Sequence, residues 1–297
     1  MYLRATAKIN LSLDVVGKRE DGYHEVRMIM QKVGMYDRLM LEAVRGGHGI
    51  SLTTNLSYIP TDENNLVVKA ARLLMEEAGV DDGLRIRLDK FIPVAAGLAG
   101  GSADAAMTMI GVNRLFSLGL TEAQLMERGA RIGADVPYCI LEGTALSEGI
   151  GEILTPLPPM PAAHILLSKP NISVSTKDVY AALDATEISA HPDVRGQAEA
   201  IRAGDLCGMT EPSRMANVLE SVTGSRYPVI GAIEQVMMEM GALRAIMSGS
   251  GPTIFGIFDD STKAEACRKR LRRERPTART FLTWPDTRGG KKQHEGQ

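Results

Sequence analysis

The chain has 297 residues, of which 44% are hydrophobic and 24% are charged, an ordinary composition for a globular protein long enough to form two domains. Lys and Arg total 34 and Asp and Glu total 36, so the formal net charge is −2. This balance excludes functions that depend on strong positive charge, and we expect neither nucleic acid nor a membrane as a partner.

The N-terminal segment alternates apolar and polar residues, which predicts a half-buried strand over 5–15. Side chains two positions apart share a face of a strand, so Lys8 and Asn10 must lie on the same face. From the residue types alone, Lys8 is typical of a solvated edge of a sheet. The next segment, DGYHEV at 21–26, places Tyr23 and His24 in a turn, where a lone histidine is ordinarily a surface residue.

Further strands are predicted from Asp37 (DRLMLEAV) and from Leu84 (LRIRLDK). Between them, residues 65–78 have a helical composition, with Asn64 or Asn65 as the N-cap and Gly79 as the stop. A second helix, 121–132, begins with a capping box of Thr121 and Gln124 and ends at Gly133. Strands and helices are mixed along the chain without a regular βαβ order, so we predict an α+β fold rather than a doubly wound parallel sheet.

Residues 93–106, PVAAGLAGGSADAA, place glycines directly before an alanine-rich helix. We predict Ser102 as the N-cap of this helix and Asp104 in its first turn. An anion could approach the free N–H groups of the helix end closely, because glycine has no side chain. The stretch matches neither standard nucleotide-binding motif, and the residues alone leave phosphate binding and a tight turn as open alternatives.

Four prolines within LTPLPPMPAA, at 156–161, mark a predicted domain boundary, because neither a helix nor a central strand accommodates them. Upstream, Asp135 in GADVP has the position of a helix N-cap before Pro137. Downstream, we predict a strand in HILLSKP, a helix in PVIGAIEQVMMEMG, and a strand, glycine-rich loop and strand in RAIMSGSGPTIFGIF.

The last predicted helix begins with a capping box of Thr262 and Glu265, and the basic run at 268–275 is its solvated end. The polar tail from Asp286 is expected to be disordered. Three widely spaced cysteines support neither a disulfide framework nor a zinc site, and together with the lack of a targeting segment they predict a cytoplasmic protein.

Three segments, at 7–26, 93–106 and 248–256, resemble motifs of the GHMP kinase superfamily in their residue types and in their order along the chain. This superfamily comprises galactokinase, homoserine kinase, mevalonate kinase and phosphomevalonate kinase. With GADVP and GIGEIL added, the combination looks specifically like the 4-diphosphocytidyl-2-C-methyl-D-erythritol kinase family. The resemblance implies a ribosomal-protein-S5-like N-terminal domain (1–157), a ferredoxin-like C-terminal domain (162–285) and a disordered tail (286–297). It also implies ATP-dependent phosphorylation of the acceptor's 2-hydroxyl in non-mevalonate isoprenoid precursor synthesis.

By this resemblance, Asp135 acts as general base on the acceptor hydroxyl, and Lys8 lies beside it to offset charge on the moving phosphoryl group. Tyr23 and Tyr180 would stack on cytosine, His24 would bind its hydrogen-bonding edge, and Asn10 would contact the acceptor's alcohol or phosphate end. The expected ATP-binding residues are Asn65, Leu66, Pro93, Val94, Ala95, Ala96, Gly97, Leu98, Ala99, Gly100, Gly101, Ser102 and Ala103.

No cluster of carboxylates predicts a dedicated metal site, so Mg²⁺ is expected to arrive with ATP, with Ser102 either near it or only capping the helix. The oligomeric state, monomer or homodimer, stays open. Two alternatives remain: a superfamily kinase for a simpler alcohol, which would not need Tyr23 and His24, and a ligand-binding regulator, which would need neither Lys8 nor Asp135.

Overall fold

The computed structural model describes residues 1–184, 188, 190–275 and 278–286. The strands of its first sheet are β1 (Tyr2–Lys18), β2 (His24–Val44), β3 (Ile50–Thr54), β4 (Gly83–Asp89), β5 (Thr144–Glu148) and β6 (Ile153–Leu157). Their order is β3-β4-β2-β5-β6, with β1 also paired to β2, and every pair except β3 with β4 is antiparallel. β6 is an edge strand, which is why it tolerates Pro156.

Four helices belong to this half of the chain: α1 (Leu66–Glu77), α2 (Gly100–Leu115), α3 (Glu122–Ala130) and α4 (Val136–Leu141). Helix α2 is central, since every residue from 103 to 112 is buried. It lies so close to β1 and β2 that a Cβ added at Gly111 would lie 2.7 Å from the side chains of Leu3 and Leu41. This close packing fixes the position of α2, whose N-terminus directly follows the first part of the glycine-rich segment, 93–99.

The strands of the second sheet are β7 (His164–Lys169), β8 (Arg244–Met247), β9 (Ile254–Phe258) and β10 (Arg279–Thr283). This sheet is fully antiparallel, with the order β10-β7-β9-β8 typical of ferredoxin-like folds. The helices here are α5 (Thr176–Leu183), α6 (Val194–Arg202), α7 (Leu206–Met209), α8 (Glu220–Arg226), α9 (Val229–Glu239) and α10 (Ser261–Glu274). The predicted α+β class is confirmed. The predicted boundary lies between β6 and β7, where the chain passes between the sheets, and the domain limits stay predictions.

Two predicted helix starts are confirmed by their hydrogen bonds. The Asn65 side chain accepts from the Val67 N–H at 2.9 Å, and Thr121 and Gln124 form the complete capping box. The tail predicted to be disordered starts at Asp286, and its residues 287–297 lie outside the described residues.

Two other predicted helix starts are wrong. Helix α2 begins at Gly100 rather than after Ser102, because Ala99 adopts a left-handed conformation (φ 53°) that turns the chain into the helix earlier. Asp104 therefore lies beyond the first turn, where it is buried. In α10 the cap is Asp260, whose carboxylate accepts from the N–H groups of Thr262 and Lys263, so Thr262 is already inside the helix.

Two carboxyl groups, Glu220 and Glu234, interact within the C-terminal half. Glu220 accepts from the Met247 N–H at 2.8 Å, while Glu234 Oε1 is buried without a partner among the described residues. Burial, and then the neighbouring Glu220, raise the pKa of Glu234 from 4.5 to about 8, against a smaller opposing effect of Arg244. Between pH 4.5 and about 8, the folded protein therefore keeps a proton on Glu234 that an unfolded chain would release.

Stability is consequently expected to fall as pH rises from the unfolded pKa, 4.5, through about 8, because the raised folded pKa favours the protonated native state. Glu234→Gln should remove much of this decline and raise Tm at pH 8. Thermal melts of both proteins between pH 5 and pH 9 provide the measurement. Glu76→Gln, which replaces an exposed glutamate of α1, should keep the wild-type slope. A wild-type slope in Glu234→Gln would contradict the interpretation that Glu234 holds this proton in the folded protein.

Candidate active site

A cavity of about 970 Å³ lies beside the N-terminus of α2, with walls from both halves of the chain. Leu98 and Ala103 are buried and do not line it: the Leu98 carbonyl accepts from Lys8 N–H, and Ala103 N–H donates to the Ala99 carbonyl. The structure brings together around this cavity the other residues predicted for the site, namely Lys8, Asn10, Tyr23, His24, Asn65, Leu66, Pro93, Val94, Ala95, Ala96, Gly97, Ala99, Gly100, Gly101, Ser102, Asp135 and Tyr180.

The glycine-rich segment is a sharply folded loop that packs against the loop between β8 and β9. Gly97 has φ 74°, and a Cβ there would lie 2.3 Å from the Ser248 carbonyl oxygen, so the packing of the two loops requires glycine. The Ser248 hydroxyl donates to the Gly97 carbonyl at 3.0 Å, and the Thr253 N–H donates to the Ala96 carbonyl. The loop is therefore a fixed support for the start of α2.

The first three residues of α2 present a potential anion site. Ala103 is the first residue whose N–H bonds within the helix turn, so the N–H groups of Gly100, Gly101 and Ser102 have no such partner. All three residues line the cavity. Free donors and the positive end of the helix dipole favour a phosphate there.

Gly101→Val is expected to weaken ATP binding at least about tenfold, because its branches would fill the space through which phosphate approaches the helix end. The fold has room for the change: the nearest atom to an added Cβ is Leu66 Cδ1 at 3.6 Å, and Gly101 does not have a positive φ. ATP titration at fixed acceptor concentration measures the effect. Gly231→Val, in open space on α9, is the matched control. Unaltered ATP affinity in a folded Gly101→Val protein would identify the loop as a turn only.

Lys8 and Asp135 both line the cavity and lie next to each other. Lys8 Nζ lies 3.6 Å from Asp135 Oδ2 and donates to Asn10 Oδ1 at 2.8 Å, which confirms that Lys8 and Asn10 share a face of β1. The alternative interpretation from residue type alone, a solvated lysine at the edge of a sheet, is excluded because Lys8 is buried. Asp135 has the predicted N-cap position before α4, but its side chain makes no capping bond. Its carboxylate is thus available to the cavity, and 33% of the side chain is exposed.

His24 and Tyr180 lie next to each other in the wall of the cavity. His24 Nε2 is 2.7 Å from Asp184 Oδ1, and its ring centroid is 4.9 Å from that of Tyr180. Burial, and to a lesser extent the charge of Asp135, raise the pKa of Tyr180 to about 12, so this phenol stays protonated. Tyr23, in the turn before His24, is 60% exposed and provides an open aromatic surface.

Several residues of the site were missed by sequence reasoning. Asp184 lies four positions after Tyr180 on the α5 side of the cavity, a spacing that could have indicated it. Lys90 contacts Asp37, 53 residues away in sequence, and Asp104, 14 residues away, so no helix or strand spacing indicates the cluster. Tyr58, Thr176 and Ser250 also line the cavity, and the two hydroxyl groups of Thr176 and Ser250 lie 2.7 Å apart.

Metal ligands are scarce in the described part of the chain, where no group of three His, Cys, Asp or Glu side chains could hold an ion. The Ser102 hydroxyl lines the cavity and has no hydrogen-bond partner among the residues described.

All three cysteines are free. Within the described residues no helix is both long and apolar enough to cross a membrane.

Comparisons with known proteins agree with this geometry. The family model for the GHMP kinases N terminal domain matches residues 65–143, and that for the GHMP kinases C terminal matches residues 198–277. A 4-diphosphocytidyl-2-C-methyl-D-erythritol kinase of Lachnospira eligens is 52% identical over 281 residues, covering 95% of this chain and 96% of that protein. The kinase of the same name from Lachnoclostridium phytofermentans is 51% identical, with 89% of each chain covered.

Solved structures show the same relationship. A crystal structure of 4-(cytidine 5'-diphospho)-2C-methyl-D-erythritol kinase superposes with a TM-score of 0.81 at 32% identity, covering 96% of this chain and 99% of that one. Homoserine kinase from Cytophaga hutchinsonii shares the fold, with a TM-score of 0.78 at 18% identity and 97% and 96% coverage. Sequence identity and fold together show that the chain belongs to the 4-diphosphocytidyl-2-C-methyl-D-erythritol kinase family of the GHMP kinases.

Proposed function

We propose that the protein transfers the γ-phosphoryl group of ATP to the 2-hydroxyl of 4-diphosphocytidyl-2-C-methyl-D-erythritol, giving the 2-phosphate and ADP, in non-mevalonate isoprenoid precursor synthesis. The observation that carries the proposal is the pair of Lys8 and Asp135 within one cavity that also holds the free end of α2. The names of the relatives support the acceptor. A cytoplasmic location stays a prediction.

The chemistry assigned to the pair is a single in-line transfer. Asp135 would accept the proton of the acceptor hydroxyl, and the Lys8 ammonium, 3.6 Å from that carboxylate, would offset charge on the moving phosphoryl group. Since phosphoryl transfer depends mainly on positioning and electrostatic stabilisation, we assign more of the rate to geometry than to proton abstraction.

The N–H groups of Gly100, Gly101 and Ser102 would bind the ATP phosphates, with Asn65 and Leu66 beside the adenine. Mg²⁺ fits this arrangement when held chiefly by phosphate oxygens and water, with the unpaired Ser102 hydroxyl as a protein ligand. Bound there, the ion would neutralise phosphate charge.

A coupled ADP-release assay over a panel of alcohols tests the proposal. The panel contains the cytidine diphosphate acceptor, free methylerythritol, homoserine and mevalonate, and the first should have by far the highest kcat/KM. Preference for an alcohol without cytidine would instead identify a superfamily kinase for a simpler acceptor. ATP binding without ADP release from any acceptor would identify a ligand-binding regulator.

Tyr23→Ala is expected to raise the KM for the acceptor by an amount equivalent to ~1 to 3 kcal/mol, because the exposed ring would stack on cytosine. ATP affinity should be unchanged. Steady-state kinetics with either substrate varied separate the two effects. Tyr2→Ala removes another exposed tyrosine, one outside the cavity, and should change neither constant. An unaltered acceptor KM in Tyr23→Ala would exclude the stacking role.

A further inference from the structure

We propose that Asp184 is a positioning residue for base selection: it fixes the tautomer of His24, so that the ring accepts a hydrogen bond from the exocyclic amine of cytosine. The inference rests on the proposed function, since it concerns the base of that acceptor. It assigns a role to an aspartate that the sequence motifs did not indicate.

The ring nitrogen that faces Asp184 must carry the proton. His24 Nε2 is 2.7 Å from Asp184 Oδ1, and hydrogen bonds from Lys18 and then from His24 lower the pKa of the Asp184 carboxyl. An ionised carboxylate can only accept, so Nε2 donates. In a neutral imidazole the other nitrogen, Nδ1, is then an acceptor, and it has no hydrogen-bond partner among the described residues.

The bases differ at the atom that would meet this acceptor. Cytosine carries an amine at position 4 and so donates there, whereas uracil carries a carbonyl oxygen and accepts. An acceptor nitrogen in a largely enclosed pocket, where the His24 side chain is 12% exposed, therefore pairs with cytosine and repels uracil. The opposite tautomer, protonated at Nδ1, would favour uracil.

The contact of Lys18 with Asp184 determines how the substitution Asp184→Asn affects the His24 ring. Its ammonium lies 2.6 Å from Asp184 Oδ2, the carboxylate oxygen that His24 does not use. In Asp184→Asn the lysine can only donate, so the amide oxygen should turn toward Lys18 and the amide NH₂ toward His24. A donor facing Nε2 moves the imidazole proton to Nδ1. The substitution is thus expected to reverse the tautomer rather than merely to weaken a contact.

The experiment compares kcat/KM for the natural acceptor and for its uracil analogue at pH 8, where an imidazole is ordinarily neutral. The wild-type enzyme should prefer cytosine by more than about tenfold, and Asp184→Asn should reduce this ratio at least about tenfold. Asp178→Asn, the same change at an exposed position of α5, should keep the wild-type ratio. Adding Lys18→Met to Asp184→Asn frees the amide to rotate and should recover part of the preference.

Long-range ¹H–¹⁵N spectra of protein labelled at its five histidines provide a readout independent of turnover, with His24 assigned from the His24→Gln spectrum. The wild-type spectrum should show Nε2 protonated and Nδ1 bare, and Asp184→Asn the reverse. A wild-type ring protonated at both nitrogens, or an Asp184→Asn protein with unchanged tautomer and ratio, would overturn the inference. Failure of the wild-type enzyme to use the cytidine acceptor would instead overturn the proposed function.

Discussion

Asp135→Asn is expected to lower kcat at least ~10³-fold, equivalent to about 4 kcal/mol of transition-state stabilisation. The change keeps the shape of the side chain but removes its charge and its ability to accept the hydroxyl proton. Because Asp135 makes no capping hydrogen bond, and Lys8 keeps Asn10 as its partner at 2.8 Å, Tm should change little.

Turnover per folded molecule and Tm, measured on the same preparation, separate chemistry from folding. Asp193→Asn, which replaces an aspartate whose side chain does cap a helix, α6, serves as the matched control and should turn over normally. An Asp135→Asn protein that melts much earlier yet turns over normally would return Asp135 to a purely structural role.

The double variant tests whether Lys8 and Asp135 act as a unit. Lys8→Met should lose turnover to a similar degree, since it removes the charge 3.6 Å from the carboxylate. If both residues serve one transition state, Lys8→Met/Asp135→Asn should lose less than the sum of the two single losses.

Local sequence patterns predicted those parts of the fold that depend on neighbouring residues. The alternation around Lys8 predicted β1, and the capping chemistry of Asn65 and Thr121 predicted two helix starts correctly. The predicted N-cap at Ser102 was wrong because Ala99 adopts a left-handed conformation, which is unfavourable for any residue other than glycine. Propensity alone could not anticipate that strained backbone.

Pairings between distant segments were not predictable from spacing. Asp184 meets His24 across 160 residues, and the depth of Lys8 in the sheet is set by tertiary packing. The meeting of Lys8 with Asp135 came from the family resemblance rather than from periodicity, and the structure supplies its distance. The family resemblance did not predict the buried cluster of Lys90, Asp37 and Asp104 either.

Lys90→Met is expected to destabilise the protein by about 3 to 5 kcal/mol, because it leaves two buried carboxylates without their cation. Lys90 Nζ contacts Asp37 and lies 2.6 Å from Asp104 Oδ2, and all three side chains are at most 5% exposed. Asp37 also accepts from the N–H groups of Phe91 and Ile92. The cluster therefore joins β2, the segment after β4 and α2 through one ammonium group.

Chemical unfolding at pH 7 measures this loss. Lys69→Met removes an exposed lysine of α1 and should change the free energy of unfolding by no more than about 0.5 kcal/mol. A Lys90→Met protein as stable as the wild type would show that the cluster contributes nothing net to folding.

Asp104 decides how the variant responds to pH. Burial raises the pKa of its carboxyl well above the usual value, and the charge of Lys90 is the largest opposing effect. Without Lys90 that pKa should rise further, so the native state should retain a proton that the unfolded chain loses above about 3.9. Lys90→Met should therefore become progressively less stable than the wild type as pH rises from 5 to 8. Adding Asp104→Asn replaces the carboxyl group that must keep this proton with a neutral amide, and the double variant should recover stability and lose that pH dependence, whereas equal pH slopes in both variants would assign the loss to packing alone.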